Sequence, residues 1–96
     1  MKLLAIEQEM PNASTEAFRL HAQAEAQRAW ELYQAGMIRE LYFRGDQNTA
    51  VLILECTNET EAHEVLATLP LVKAGLIRFD ILPLVPYPGF ARLFSA

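Results

Sequence analysis

A chain of 96 residues carrying eight basic and twelve acidic side chains, with a net charge of −4, is one small domain and excludes a multidomain organisation. Neither sign of charge forms a run, which disfavours nucleic acid and anionic membranes as partners, and the single cysteine, Cys56, excludes an intrachain disulfide or a cysteine metal cluster. The hydrophobic share of 52 % exceeds what a core of this size readily absorbs, so a surface that self-associates is expected.

The opening run KLLAIEQ (residues 2–8), followed by the break MPNAS, predicts a first strand. The run is interrupted by Glu7 and is too short for a signal peptide or a membrane span, so a cytoplasmic setting is expected. From about Ser14 to Ala35 the chain turns to Ala, Glu, Gln and Arg, with Ser14 or Thr15 as cap. Phe18, Ala22, Ala26, Ala29 and Leu32 recur at spacings of three or four, and Gly36 stands where a left-handed residue would end the helix.

Ile38 to Cys56 reads as two strands turning through GDQN. A second helix starts at Asn58, which with Glu61 can form a capping box; Ala62, Val65, Leu66 and Leu69 supply its apolar stripe and Pro70 closes it. LIRFDILPLV (residues 76–85) predicts a fourth strand, and residues 86–96 form an aromatic tail carrying Tyr87, Phe90 and Phe94. The order β, α, β, β, α, β over a single domain, residues 1–96, predicts an α+β ferredoxin-like sandwich. Its four-stranded antiparallel sheet has both helices on one face.

Pairing Arg44 with Thr49 across the turn sets Tyr42 opposite Val51, Glu40 opposite Ile53 and Ile38 opposite Glu55. The alternate set, with Phe43, Ala50, Leu41, Leu52, Met37, Cys56, Arg39 and Leu54, is the more apolar. It is expected to meet the helices together with Leu4, Ile6, Ile77, Phe79 and Ile81. The open face then receives Glu7, Glu40, Tyr42, Arg44, Glu55, Arg78 and Asp80, with Leu3, Ala5, Ile38, Val51, Ile53 and Leu82 among them. A face that mixed is too apolar for water and too charged for a dry core. Two copies packed sheet to sheet as a homodimer or a higher oligomer, with the tail over the partner or over the cleft, would satisfy both.

Chemistry is readable on that face. Glu40, Glu55 and Asp80 are candidate general bases, because a carboxylate partly desolvated between sheets has its pKa raised toward working pH. Arg44 or Arg78 can anchor a substrate carboxylate, and Tyr42 can donate to a developing enolate. Glu40, Tyr42 and Arg44 are therefore the catalytic candidates, and Glu55, Arg78 and Asp80 the substrate-binding ones. The competing reading is that these residues form ion pairs that only set dimer register, in a ligand-sensing or interaction module. His21 and His63 lie on polar helix sides with no second ligand at a metal spacing, so no metal and no cofactor is expected.

From Trp30 to Leu84 the chain resembles the muconolactone isomerase-like family of the dimeric α+β barrel superfamily. The resemblance is carried by Gly36, by Arg39 and Tyr42, and by Leu69, Pro70 and Leu71. It implies a cytoplasmic dimer or larger oligomer and a cofactor-free isomerase that moves a proton in a small lactone or carboxylate metabolite.

Overall fold

The structure is a computed structural model and describes residues 1–94. Its elements are β1 (Lys2–Glu9), α1 (Thr15–Gln34), β2 (Ile38–Phe43), β3 (Ala50–Glu55), α2 (Glu59–Leu66), α3 (Pro70–Lys73) and β4 (Ile77–Leu84), followed by a 3-10 helix at Gly89–Phe94. The strands form one sheet in the order β2-β3-β1-β4, and every pairing is antiparallel. This is the expected ferredoxin-like sandwich. The aromatic tail leaves the sheet with Tyr87, Phe90 and Phe94 exposed; its last two residues, 95 and 96, lie outside the described residues.

The local signals act where the sequence places them. Ser14 caps α1, its hydroxyl accepting from the Ala17 N–H at 3.1 Å, and Asn58 caps α2 through the Glu61 N–H at 2.8 Å. The Glu61 carboxylate reaches back to the Thr57 N–H, one residue further than a standard capping box. Pro70 does not close α2. That helix ends at Leu66, and Pro70 instead opens α3, where its missing N–H costs nothing.

Both helical segments return to the sheet by the same turn. Gly36 (φ +82°) and Gly75 (φ +73°) sit just past the helix ends. In the first, the Gly36 N–H donates to Tyr33 O and the Met37 N–H to Leu32 O; in the second, the Gly75 N–H donates to Val72 O and the Leu76 N–H to Leu71 O. These are paired Schellman turns, built on the related stretches AGMIR (35–39) and AGLIR (74–78). Each delivers an isoleucine, Ile38 or Ile77, into the core beneath the helices.

The β2–β3 hairpin keeps its expected register from Glu40 to Phe43, and the Arg44 N–H donates to Thr49 O. Three face assignments are corrected. First, the pairing is irregular between Ile38 and Glu40, so Ile38 lies opposite Leu54 rather than Glu55 and is buried. A bulge adds one residue to one strand, which moves everything beyond it to the other face. Second, Leu3, Ala5 and Glu7 point under the helices instead of onto the open face. Third, Leu4 and Ile6 take the open face in their place, half-buried opposite Ile53 and Val51. The physical reason is that β1 is a central strand, apolar on both sides, and a slip of one residue exchanges its whole set.

The core gathers Leu3, Ala5, Leu32, Ile38, Leu52, Leu54, Cys56, Ala62, Leu66 and Leu69 between the sheet and the helices. Cys56 is among them, as its place in the apolar set requires. No helix is long and apolar enough to cross a membrane among the described residues.

Replacing a glycine at positive φ forces a Cβ into a strained backbone. Gly36→Ala is therefore expected to lower stability by about 1 kcal/mol, seen as a lower urea midpoint at unchanged slope. Gly45→Ala is the control, since φ there is not positive and an added Cβ meets nothing within 4 Å; its midpoint should not move.

Candidate functional site

Of the charged and aromatic residues singled out for the open sheet face, Glu7 lies on the helix side instead, and Glu40, Tyr42, Arg44, Glu55, Arg78 and Asp80 each find a partner. The Tyr42 hydroxyl donates to Glu40 Oε1 at 2.6 Å, which raises the Tyr42 pKa. Arg44 grips both oxygens of Asp46, in the turn, at 2.9 and 2.6 Å, holding the Asp46 carboxyl below its ordinary value. The terminal ammonium of Met1 donates to Glu55 Oε2 at 2.5 Å and lowers the Glu55 pKa. Arg78 pairs with Asp80 two residues along β4.

Glu40 and Tyr42 are thus brought together, as are Arg78 and Asp80. The two pairs stand on opposite edge strands, with β3 and β1 between them. Three strand spacings separate them by roughly 14 Å. Within one protomer they do not converge.

A concave site lies on the other side of the sheet. A cleft of about 350 Å³ opens between α1 and the sheet, lined by Phe18, Ala22, Ala26 and Ala29 of the helix and by Leu41, Phe43, Leu52 and Phe79 below, among others. That volume falls in the range of roughly 300 to 1,000 Å³ usual for small-molecule sites. The space exists because α1 presents alanine at successive turns where a fully packed helix would present Leu or Ile. A second, more polar hollow of about 480 Å³ adjoins it, sharing Glu7, Phe18, Phe43 and Leu71 and adding Glu9, Ser14, Thr15 and Asn48.

Two carboxylates face this cleft. Glu7, on β1, is 7 % exposed, and its Oε1 accepts from the Ala50 N–H at 3.0 Å. Glu25, in the middle of α1, accepts through Oε1 from the Leu71 N–H at 2.9 Å. That second contact caps α3, whose N-cap residue, Leu69, offers no side-chain cap of its own. The second oxygen of each carboxylate makes no hydrogen bond among the described residues.

Burial pushes both carboxyl pKa values up from 4.5, against the lowering effect of each backbone hydrogen bond. The charges of Glu9 and Glu25 raise Glu7 further. A carboxyl held above its ordinary value by an apolar cleft is better suited to accept and return a proton than an exposed one.

Neither glutamate was placed here by the sequence pattern. The signal for Glu25 is its position inside the stripe Phe18–Ala22–Ala26–Ala29–Leu32, three residues after Ala22 and four before Ala29. The signal for Glu7 is its parity with Leu3 and Ala5, readable once β1 is turned the right way. Among the described residues no group of three or more His, Cys, Asp or Glu side chains is arranged to hold a metal ion. Trp30 and Tyr33 stack at 5.8 Å and, with Leu41, line a shallow hollow; in the tail, Tyr87 and Phe90 meet edge-on at 5.1 Å.

The sequence matches the family described as muconolactone delta-isomerase over residues 3–89. The fold is similar to a crystal structure of muconolactone isomerase, with a TM-score of 0.75 and 17 % identity over 92 % of each chain. It is also similar to 5-chloro-2-hydroxyhydroquinone dehydrochlorinase from Burkholderia phenoliruptrix AC1100, solved in complex with 2,5-dihydroxybenzoquinone. There the TM-score is 0.73 and the identity 18 %, over 93 % of this chain and 98 % of that one. Among curated proteins none matches the chain by sequence.

The raised carboxyls set a pH dependence. A group whose native pKa lies above its unfolded value of 4.5 contributes stability that is complete below 4.5 and is lost as pH rises through the native pKa. Glu7→Gln and Glu25→Gln should therefore gain in melting temperature relative to wild type as pH rises from 4.5 toward neutrality. Calorimetry across that range checks it, and a difference that shrinks with rising pH would contradict the assignment.

Proposed function

Because this chain belongs to the muconolactone delta-isomerase family, we propose that it is a cofactor-free isomerase acting on a small lactone-like metabolite bound in the cleft between α1 and the sheet. The observation that carries this reading is the pair Glu7 and Glu25, two carboxyls with raised pKa values on the wall of an otherwise apolar cleft.

Glu7 is the base. Its carboxylate takes a proton from the carbon next to the substrate carbonyl, the C–H electron pair becomes a new C=C bond, and the carbonyl π pair moves onto oxygen. Glu25 donates a hydrogen bond to that oxygen when its carboxyl carries a proton, as a neutral acid does in other cofactor-free enolate chemistry. Glu7 then returns the proton at the far end of the dienolate, and the double bond has moved with no net change in atoms or electrons. The apolar walls exclude the water that would otherwise level the carboxyl pKa values.

A second reading places the reaction on the open sheet face, with Glu40 as base, Tyr42 as donor and Arg44 as anchor, and with Glu55, Arg78 and Asp80 binding substrate. The 2.6 Å hydrogen bond from Tyr42 to Glu40 favours it. The β4 pair would then have to come from a partner's sheet laid across this one. On either reading we expect a cytoplasmic homodimer, joined through the face that carries Leu4, Ile6, Val51 and Ile53 among its charged residues.

The two sites separate by mutation. Glu7→Gln should lower turnover of an unsaturated lactone by about 10²- to 10⁴-fold, as loss of a general base does, and Ala26→Phe should block ligand uptake while leaving the chain folded. Glu40→Gln should leave turnover within a few-fold. The opposite ranking would move the reaction to the sheet face, and no turnover or ligand binding at all would favour a non-catalytic module. Ile53→Lys tests the dimer. By sedimentation, the wild type should run at twice the 10.8 kDa chain mass and the variant at once that mass.

A further inference from the structure

The direction of the Glu25 carboxyl depends on where α3 stands. Glu25 Oε1 accepts from the Leu71 N–H at 2.9 Å, and that N–H belongs to a helix of four residues with no side-chain cap. A single helical turn has too few hydrogen bonds of its own to hold a position. A second contact has to fix α3 against α1.

That contact lies three residues away on each side. Arg28 follows Glu25 by three positions, on the same face of α1, and Thr68 precedes Leu71 by three. Arg28 Nε donates to Thr68 Oγ1 at 2.9 Å, and the same hydroxyl donates to Val65 O, in the last turn of α2, at 2.6 Å. Both side chains are half-buried. Glu31 steadies the guanidinium from its other side at 3.0 Å. The contacts 25 to 71 and 28 to 68 run in opposite order along the two segments, and two points fix a direction where one leaves a pivot.

This clamp bears on the cleft, because Leu69 and Leu71 of the clamped segment line it beside Glu25. It also decides which oxygen of Glu25 can act as an acid. A protonated carboxyl carries its hydrogen on one oxygen and accepts through the other. With Oε1 held by the Leu71 N–H, the proton of the acid form is left to Oε2, which makes no hydrogen bond among the described residues.

We propose that Arg28 and Thr68 are positioning residues for the reaction in the cleft: their hydrogen bond holds α3 in register with α1, keeping the Leu71 N–H on Glu25 Oε1 and leaving Oε2 for the substrate. Neither side chain lines the cleft, so both act through Glu25. The effect on turnover rests on the cleft reading above, and the effect on α3 rests on the hydrogen bonds alone.

Three variants test this. Thr68→Val keeps the shape of the side chain and removes both hydrogen bonds of the hydroxyl, Thr68→Ser keeps the hydroxyl, and Arg28→Met removes the donor from the other end. Hydrogen exchange of the Leu71 amide, read by NMR on the isotope-labelled full chain, reports the clamp without any ligand, and the amide of the fully buried Leu54 is the control. Leu71 exchange should quicken about fivefold in Thr68→Val and Arg28→Met, as loss of one partly buried hydrogen bond implies. It should stay near wild type in Thr68→Ser, and Leu54 should not change. For an unsaturated lactone, kcat should fall about tenfold in Thr68→Val and Arg28→Met with KM nearly unchanged, and Thr68→Ser should retain it. In a Glu25→Gln background, Thr68→Val should lower kcat no further, because the group it positions is gone. Unchanged Leu71 exchange would overturn the clamp. A full further fall in the Glu25→Gln background would overturn the positioning role in favour of a general structural one, and so would an unchanged kcat with a loosened Leu71. A wild type that turns over no lactone would sink the cleft reading and the catalytic role with it, while Leu71 exchange would still show whether the clamp holds α3.

Discussion

Helix α1 is tied down along its C-terminal half and left standing off the sheet along its N-terminal half. The Glu25 carboxylate holds the Leu71 N–H, Arg28 holds the Thr68 hydroxyl, Leu32 is buried, and the turn at Gly36 feeds the chain straight back into β2. Toward the N-terminus the same face carries Phe18 and Ala22, which with Ala26 and Ala29 further along line the gap without filling it. Pinning one end of a 20-residue helix is enough to fix its direction, because the helix is stiff over that length. The unfilled half can then remain concave without loss of a unique fold.

The two glutamates on the cleft serve the backbone first. Glu7 satisfies the amide at the start of β3, and Glu25 that of the short helix α3. Each N–H would otherwise be a donor with no partner in a partly buried place. Because one oxygen of each carboxylate is committed, the direction of the other is fixed as well. A site built this way inherits its geometry from groups the fold already needs. It also ties any substitution of either glutamate to the helix or strand it supports, since the same carboxylate holds the backbone N–H.

Much of this architecture is legible in the sequence. Capping residues at Ser14 and Asn58, glycine at 36 and the polar turn GDQN are local signals with local causes, and they act as read. The hairpin register follows from pairing Arg44 with Thr49, which the turn length dictates. What is not legible depends on partners far along the chain. Strand β1 is apolar on both faces, so its parity is decided by β3 and β4 on either side, and only their packing sends Leu3, Ala5 and Glu7 inward. The burial of Ile38 needs the bulge at Arg39, and no residue there announces one; the twin stretch AGLIR leads into β4 without a break in its pairing. Glu25 looks like an ordinary charged helix residue until α3 is seen to lack a cap.

That bulge has a further consequence at the rim of the sheet. A four-stranded open sheet has two bare edges, here β2 and β4, and unpaired strand edges invite other chains to add on and grow into aggregates. The irregularity between Ile38 and Glu40 breaks the regular spacing of N–H and C=O groups along one edge, and Pro83 removes a donor from the other. Neither edge offers a continuous template for a further strand. A chain so rich in apolar residues is thereby steered away from open-ended, fibre-like growth along its strand edges.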